Sequence, residues 1–164
     1  LAVTEVHGQN MPKTVAQAAI TAAKNIANGL GYVGVLCVEF FVLADGSLVV
    51  NEMAPRPHNS GHWSQDGAVT SQFEQHLRAV LDLPLGDTSP IAPWSVMINI
   101  LGGPSEGGLS ERFAASMAQH PSAHIHTYGK DPRPGRKVGH VNAVGTDLDD
   151  VVYDARAAAA FFQD

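Results

Sequence analysis

The chain has 164 residues, of which 45% are hydrophobic and 16% charged, and its formal net charge is −6. This length suits one compact domain or two small ones, and the acidic balance argues against a nucleic-acid-binding protein. No apolar run approaches the roughly 20 residues of a membrane-spanning helix. The single cysteine, Cys37, is expected to be a small core residue, and its lack of a disulfide partner fits a cytoplasmic protein.

The first half of the chain predicts a helix followed by a β-hairpin. Apolar residues repeat at helical spacing on one face of residues 14–30. Two runs of β-branched and aromatic residues follow, at 33–43 and 48–53, and Asp45-Gly46 lies between them. Because Asp-Gly between two apolar runs is a strong hairpin signal, we expect a two-residue turn there.

That turn would place two acidic residues opposite each other. Counting outward from Asp45-Gly46 pairs Glu39 with Glu52, with their Cβ atoms roughly 4.5–5.5 Å apart. Like charges at this distance repel unless a cation lies between them, and hard divalent ions such as Mg²⁺ take oxygen ligands of this kind. The pattern therefore predicts a magnesium site. The alternative is a solvated hairpin face with two unrelated acids, and a one-residue slip would put them on opposite faces.

Residues 51–63 form a polar segment that begins as a strand and becomes a loop at its prolines. A hydrophobic core has no use for so many polar groups in a row, so this segment is the candidate for chemistry. Two of its residues, His58 and His62, have the four-residue spacing of zinc ligands on a helix. However, Pro57 and Gly61 argue against a helix there, and no nearby cysteine or third histidine completes a zinc set.

The second half predicts a helix and then a strand-rich segment. A capping box at residues 71–74 opens the helix, and Pro84 ends it. The loop of residues 86–93 is rich in proline, glycine and serine, and we place a domain boundary between residues 87 and 88. Beyond it the pattern predicts strands at 94–101, 123–128 and 137–144, a short helix at 109–119 and a last helix capped by Thr146 and Asp147.

A basic loop lies between the last two predicted strands. Four of the ten basic residues of the chain fall within residues 130–137, around the turn-forming pair Pro134-Gly135. A turn can bring several cationic side chains and backbone N–H groups onto one anion, as a phosphate requires. The alternative is a solvated loop that aids solubility.

Several stretches carry a family resemblance. The sequences GVLCVEFF, NEMAPR and HNSGHW, at residues 34–41, 51–56 and 58–63, resemble the N5-carboxyaminoimidazole ribonucleotide synthases of the ATP-grasp superfamily. Shorter matches follow in order at residues 71–74, 83–84, 95–99 and 133–140, so that the resemblance covers nearly the whole chain.

The resemblance implies an α+β fold, with residues 1–87 as the second half of an ATP-grasp domain and residues 88–164 as a small β-rich C-terminal domain. It implies an ATP-dependent carbon–nitrogen ligase of purine biosynthesis, which uses bicarbonate to carboxylate 5-aminoimidazole ribonucleotide through carboxyphosphate. The implied cofactors are ATP and Mg²⁺. Because the chain resembles only the C-terminal portion of such an enzyme, we expect it to be inactive alone. We expect the complete enzyme to be a homodimer.

The resemblance also assigns roles to single residues. Strand parity points Asn51 away from the two acids unless the backbone twists, and for His7 the alternative is an ordinary surface histidine. For Arg56 the alternative is a surface salt bridge. The implied set is Glu39 and Glu52 for metal, His7, Asn51 and Glu52 for the nucleotide, Arg56 at the carboxyphosphate, His58, Asn59 and Ser60 for the ribonucleotide, and Arg136 and Lys137 for its 5′-phosphate.

Two other functions stay open. One is another ATP-dependent carboxylase, such as a biotin carboxylase, against which residues 58–63 argue. The other is a non-catalytic ligand-binding or assembly module, which describes a chain without the first half of the ATP site. If the resemblance holds, we expect the basic loop of residues 130–137 to lie over the loop of residues 56–62.

Overall fold

The structure is a computed structural model that describes residues 3–6 and 11–163. Spatial proximity divides the described residues into two compact units. The sheet unit contains residues 3–6, 66–68 and 90–163, and the hairpin unit contains residues 11–65 and 69–89. Helices and antiparallel strands occur in the chain together, which confirms the predicted α+β class. The predicted boundary between residues 87 and 88 stays a prediction.

Most predicted elements are found within a few residues of their expected bounds, and β1 and α2 are additional. In chain order they are β1 (Val3–Val6), α1 (Lys13–Leu30), β2 (Cys37–Val42), β3 (Leu48–Ala54), α2 (Ser64–Gly67), α3 (Gln72–Val80), β4 (Trp94–Leu101), α4 (Phe113–Gln119), β5 (His124–Thr127), β6 (Lys137–Gly145) and α5 (Leu148–Ala160), with 3₁₀ turns at Asn59–Gly61 and Leu109–Arg112.

The sheet unit is built on an antiparallel sheet with strand order β1-β4-β6-β5. Strands β4 and β6 are central and buried along most of their length, and α5 packs on them. Asp147 caps α5, since its carboxylate accepts hydrogen bonds from the N–H groups of Asp149 and Asp150. The alanine-rich face of α5 lets the helix approach the sheet closely, and it shares the core with Phe162.

The hairpin turn differs from the predicted one. Val42 pairs with Leu48 and the N–H of Leu43 donates to the carbonyl of Ser47, so the loop has three residues, 44–46, instead of two. Gly46 has a φ of 82°, the left-handed conformation that the last residue of such a loop adopts. The predicted two-residue turn is therefore wrong, and the pairing next to it is shifted by one residue.

A β-bulge restores the expected pairing further along the hairpin. Phe40 pairs with Val50, whereas Glu39 pairs with Glu52, so Asn51 is the extra residue on β3. Without the bulge, Glu39 would face Asn51. The prediction that Glu39 and Glu52 are cross-strand partners is thus confirmed, although the turn from which it was derived is not.

No helix in residues 11–163 is long and apolar enough to cross a membrane.

Candidate functional site

A single histidine lies between the two facing acids. His58 Nε2 is 3.3 Å from Glu52 Oε1, and His58 Nδ1 is 3.7 Å from Glu39 Oε1. The imidazole is largely buried, with 13% of its side chain exposed, whereas the carboxylates of Glu39 and Glu52 are 36% and 52% exposed. The two acids are therefore accessible to a ligand from solvent, whereas the histidine contacts them from the buried side.

The hydrogen bonds of His58 assign its tautomer. The backbone N–H of Ser60 donates to Nδ1 at 3.3 Å, so in this arrangement Nδ1 is an acceptor and carries no proton. The proton then lies on Nε2, which donates toward Glu52. One imidazole can offset at most one of the two negative charges, so the pair of carboxylates still favours a bound cation.

Asn51 reaches the acid pair because of the bulge. Its side-chain Nδ2 donates to Glu39 Oε2 at 3.2 Å. The expectation from strand parity, that this side chain points away from the acids, is wrong because the extra residue in β3 interrupts the alternation. Asn51 therefore orients one carboxylate of the pair.

The chemistry of these donors fits a hard divalent cation. Two carboxylates from adjacent strands converge, their side chains are partly exposed, and the amide of Asn51 donates a hydrogen bond to one of them. Mg²⁺ prefers one or two carboxylates and completes its shell with water and phosphate oxygens, which the exposure of this pair permits.

Cys37 lies at the same site and not in a hydrophobic core. Its Sγ atom is 3.4 Å from His58 Nδ1 and 3.5 Å from Ser60 Oγ, and the residue is half-buried. The expected core role is wrong because β2 directs Cys37 and Glu39, two residues apart, to one face of the hairpin.

The loop of residues 58–62 is held by Gln72, at the start of α3. Gln72 Oε1 accepts from the N–H of His58 at 2.9 Å, and its Nε2 donates to the carbonyl of His58 and to His62 Nδ1, both at 2.8 Å. Gly61 makes this approach possible, because a Cβ atom there would collide with Gln72 Oε1. The sequence marks Gln72 as part of a capping box, and no local sequence signal predicts that it also holds this loop.

The other side chains of the loop have separate contacts. Ser64 is buried and joins the loop to α3: its hydroxyl donates to the carbonyl of Gly61 at 2.6 Å and accepts from the N–H of Gln72 at 2.9 Å. The ring of His62 stacks on Phe73 at 5.4 Å. His62 thus contacts α3 while His58 contacts the acids, so their four-residue spacing does not create a zinc pair.

Arg56 follows the end of β3 and is exposed. Its Nη1 donates to the carbonyl of Pro57 at 3.0 Å, and within the described residues it forms no salt bridge. The expected role of Arg56 at the carboxyphosphate stays a prediction.

The remaining expected site residues are Arg136, Lys137, Asn59 and His7. Arg136 closes a turn, with its N–H donating to the carbonyl of Arg133 at 3.0 Å, and Lys137 begins β6, so both belong to the sheet unit. Their convergence with the hairpin loop stays a prediction. Asn59 begins the 3₁₀ turn, and His7 lies outside the described residues.

A second polar cluster lies within the sheet unit. Asp66 accepts hydrogen bonds from His126 Nε2 at 2.7 Å and Asn142 Nδ2 at 2.6 Å, and His124 Nδ1 is 3.6 Å away. Burial acts to raise the pKa of Asp66, but the hydrogen bonds from His126 and Asn142 outweigh it and hold the pKa below its ordinary value. We interpret this cluster as structural.

The sequence of this chain is similar to those of known proteins along most of its length. Residues 2–73 match a family model described as the ATP-grasp domain, and residues 95–153 match the phosphoribosylaminoimidazole carboxylase C-terminal domain. A relative from Mycobacterium tuberculosis (strain ATCC 25618 / H37Rv), an N5-carboxyaminoimidazole ribonucleotide synthase, is 53% identical over 151 residues. The chain belongs to the N5-carboxyaminoimidazole ribonucleotide synthase family.

Other members of this family extend the comparison. A synthase from Mycobacterium leprae is 57% identical over 140 residues, which are 82% of this chain and 32% of that protein. The match to the M. tuberculosis synthase covers 91% of this chain and 35% of that protein. The chain thus spans about a third of the curated relatives that it matches.

Solved structures of the same family share the fold. The synthetase from Thermus thermophilus has a TM-score of 0.80 at 40% identity, covering 97% of this chain and 42% of that one. The Aspergillus clavatus synthase, crystallised with ADP and 5-aminoimidazole ribonucleotide, has a TM-score of 0.81 at 31% identity, covering 97% and 43%.

Replacing Gln72 with leucine tests its role in positioning the loop. The change removes the hydrogen bonds to His58 and His62, and we expect the free energy of unfolding to fall by about 1–3 kcal/mol because part-buried polar groups lose their partners. The imidazole resonances of His58 and His62 in ¹⁵N NMR spectra should also shift. Unfolding in urea gives the stability.

Gln75→Leu is the matched control. Gln75 lies on the same helix and forms the same kind of paired bonds, to the N–H and carbonyl of Gly86 at 2.9 and 2.7 Å. It should cost a similar free energy and leave the resonances of His58 and His62 in place. Equal shifts in both variants would show that Gln72 has no specific role in the loop.

Proposed function

We propose that this chain supplies the metal-binding and ribonucleotide-binding part of an ATP-dependent carboxylase. The reaction converts ATP, bicarbonate and 5-aminoimidazole ribonucleotide into ADP, phosphate and N5-carboxyaminoimidazole ribonucleotide. The observation that carries the proposal is the pairing of Glu39 and Glu52 across the hairpin, beside a polar loop that lies within the part of the chain matched by the ATP-grasp family model. We further propose that the complete enzyme is a cytoplasmic homodimer.

The proposed domains follow the same comparison. We assign residues 1–87 to the ATP-grasp domain and residues 88–164 to the C-terminal domain. In support, the two family models match residues 2–73 and 95–153 and leave the proline- and glycine-rich segment between them.

The proposed mechanism begins with the acid pair. Mg²⁺ held by Glu39 and Glu52 would neutralise charge on the phosphate oxygens of ATP. Asn51 orients Glu39 for this task through the hydrogen bond to its Oε2. Asn51, Glu52 and His7 are the proposed nucleotide contacts, and the exposed carboxylates leave space for phosphate oxygens beside them.

Arg56 is the proposed contact for the transferred group. Bicarbonate oxygen attacks the γ-phosphorus, the bond to ADP breaks, and carboxyphosphate forms. The planar fork of a guanidinium binds two oxygens of such an anion and stays charged at all relevant pH values. The exocyclic amine of the ribonucleotide then bonds to the carboxyl carbon, phosphate leaves, and the amine loses a proton.

The loop after Arg56 is the proposed ribonucleotide site. His58, Asn59 and Ser60 are the proposed contacts, and Gln72 fixes the backbone on which they are carried. Because His58 contacts Glu39 and Glu52 as well, cation binding and ribonucleotide binding are expected to influence each other. Arg136 and Lys137 are the proposed contacts for the 5′-phosphate.

A chimera tests the proposed function. This chain replaces the matching part of the M. tuberculosis synthase, and ADP release is measured with and without the ribonucleotide. We expect ribonucleotide-stimulated ATPase activity from the chimera and none from the chain alone.

Glu52→Gln in the chimera should lower kcat about 10²–10³-fold, because a charge-stabilising group is lost. Glu74→Gln, at an exposed acid paired with Arg78 on α3, should change kcat little. Stimulated turnover by the chain alone, or equal effects of the two substitutions, would contradict the proposal.

Replacing Lys137 with methionine in the same chimera tests the phosphate site. A charged hydrogen bond to an anion contributes about 1.5–3 kcal/mol, so the KM for the ribonucleotide should rise roughly 10–100-fold. The KM for ATP should change far less, and Lys24→Met on α1 should change neither constant. Equal effects of Lys137→Met on both substrates, or none, would mean that the 5′-phosphate binds elsewhere.

A further inference from the structure

Three side chains of the candidate site form a donor set unlike that of a magnesium site. Cys37, Glu39 and His58 each place one potential ligand atom within 4.8 Å of the other two. Thiolate and imidazole are ligands of softer cations, whereas Mg²⁺ takes oxygen atoms. We propose that Cys37, Glu39 and His58 bind a thiophilic divalent cation of the zinc class, and that this cation competes with magnesium for Glu39.

The distances are close to those of a tetrahedral site. Zinc–ligand distances of about 2.3 Å to sulfur and 2.0–2.2 Å to nitrogen and oxygen place ligand atoms about 3.4–3.6 Å apart. The observed distances are 3.4 Å from Cys37 Sγ to His58 Nδ1 and 3.7 Å from His58 Nδ1 to Glu39 Oε1. The third pair, Cys37 Sγ and a carboxylate oxygen of Glu39, lies within 4.8 Å. Side-chain rotation that shortens this distance would bring all three atoms to one ion, and a water molecule can complete the shell.

The surroundings of His58 also suit a metal ligand. Its Nδ1 atom is the unprotonated one, as the hydrogen bond from the N–H of Ser60 shows, and its Nε2 atom lies 3.3 Å from Glu52. A ligating histidine generally donates its other ring N–H to a carboxylate, which fixes the ring and raises its basicity. Glu52 is therefore a supporting residue of this site and not one of its three ligands.

Binding has two chemical consequences at the site. The thiol of Cys37 loses its proton as the sulfur–metal bond forms, so that one proton is released for each ion bound. The ion also takes the position in which Nδ1 now meets Ser60, whose hydroxyl is 2.9 Å away. The bound ion would thus engage Glu39 and His58 and break the hydrogen bond between His58 and Ser60.

The inhibitory consequence rests on the proposed function, whereas the binding does not. If Glu39 holds magnesium and His58 contacts the ribonucleotide, a zinc-class ion at Cys37 removes both from the reaction. Because Mg²⁺ does not bind thiolate strongly, an excess of magnesium would displace the softer ion only through competition at Glu39.

Cobalt titration of the chain tests the binding. Co²⁺ replaces zinc in such sites, and a thiolate–cobalt bond gives a near-ultraviolet charge-transfer band with intense tetrahedral bands in the visible. Cys37 is the one cysteine of the sequence, so the band can come from no other residue. We expect one equivalent of Co²⁺ to produce it. Circular dichroism confirms that each variant is folded.

Substitutions test each of the three ligands and the supporting residue Glu52 by their effect on the cobalt band and on cobalt affinity. Cys37→Ser should abolish the band, and His58→Gln and Glu39→Gln should each weaken cobalt binding at least about tenfold. Glu52→Gln should keep the band and weaken binding by roughly 10–100-fold, as expected for loss of a supporting carboxylate. His124→Gln, in the sheet unit, is the control and should change nothing. Absence of the band with a free thiol, or a band that His58→Gln and Glu39→Gln leave unchanged, would overturn the proposal.

The chimera tests the inhibition separately. With Mg²⁺ held constant, the zinc concentration that halves the rate should be at least tenfold higher for Cys37→Ser, each protein being compared with its own rate without zinc. Equal inhibition of both would overturn the competition. If the chain binds cobalt through Cys37 but the chimera is inactive, the metal site stands and the proposed function fails.

Discussion

The site depends on one electrostatic constraint, the placement of two carboxylates opposite each other across a hairpin. Glu39 and Glu52 are direct cross-strand partners, and the repulsion between their like charges destabilises the hairpin. The neighbours of the pair, His58 and Asn51, lie against the carboxylates, and one imidazole can offset at most one of the two negative charges. A divalent cation held by both carboxylates would turn this repulsion into attraction.

The polar loop beside the acids is anchored by hydrogen bonds to the start of α3. Gln72 binds both backbone groups of His58, and the buried hydroxyl of Ser64 joins the carbonyl of Gly61 to the start of α3. The histidine between the acids is therefore positioned by hydrogen bonds to backbone atoms. Such support is what a site needs when its ligands must be held within fractions of an ångström.

The sequence predicted the elements and the acid pair, but not how the pair is made. Hydrophobic periodicity and Asp45-Gly46 were sufficient for the hairpin, whereas the three-residue loop and the bulge at Asn51 depend on backbone conformations that propensity does not resolve. The hairpin loop is one residue longer than predicted and β3 contains one extra residue, so the two errors in register cancel at Glu39. Contacts between residues far apart in sequence, such as Asp66 with His126, leave no local pattern from which they could be predicted.

Anomalous diffraction at the manganese edge, from crystals of the chimera grown with Mn²⁺ and ADP, tests the role of the acid pair most directly. A synthetase of this family has been crystallised with ADP. We expect an anomalous peak about 2.1 Å from a carboxylate oxygen of both Glu39 and Glu52, as hard divalent cations require, and its loss in Glu52→Gln. Manganese bound elsewhere, with the two carboxylates making only water contacts, would contradict the account.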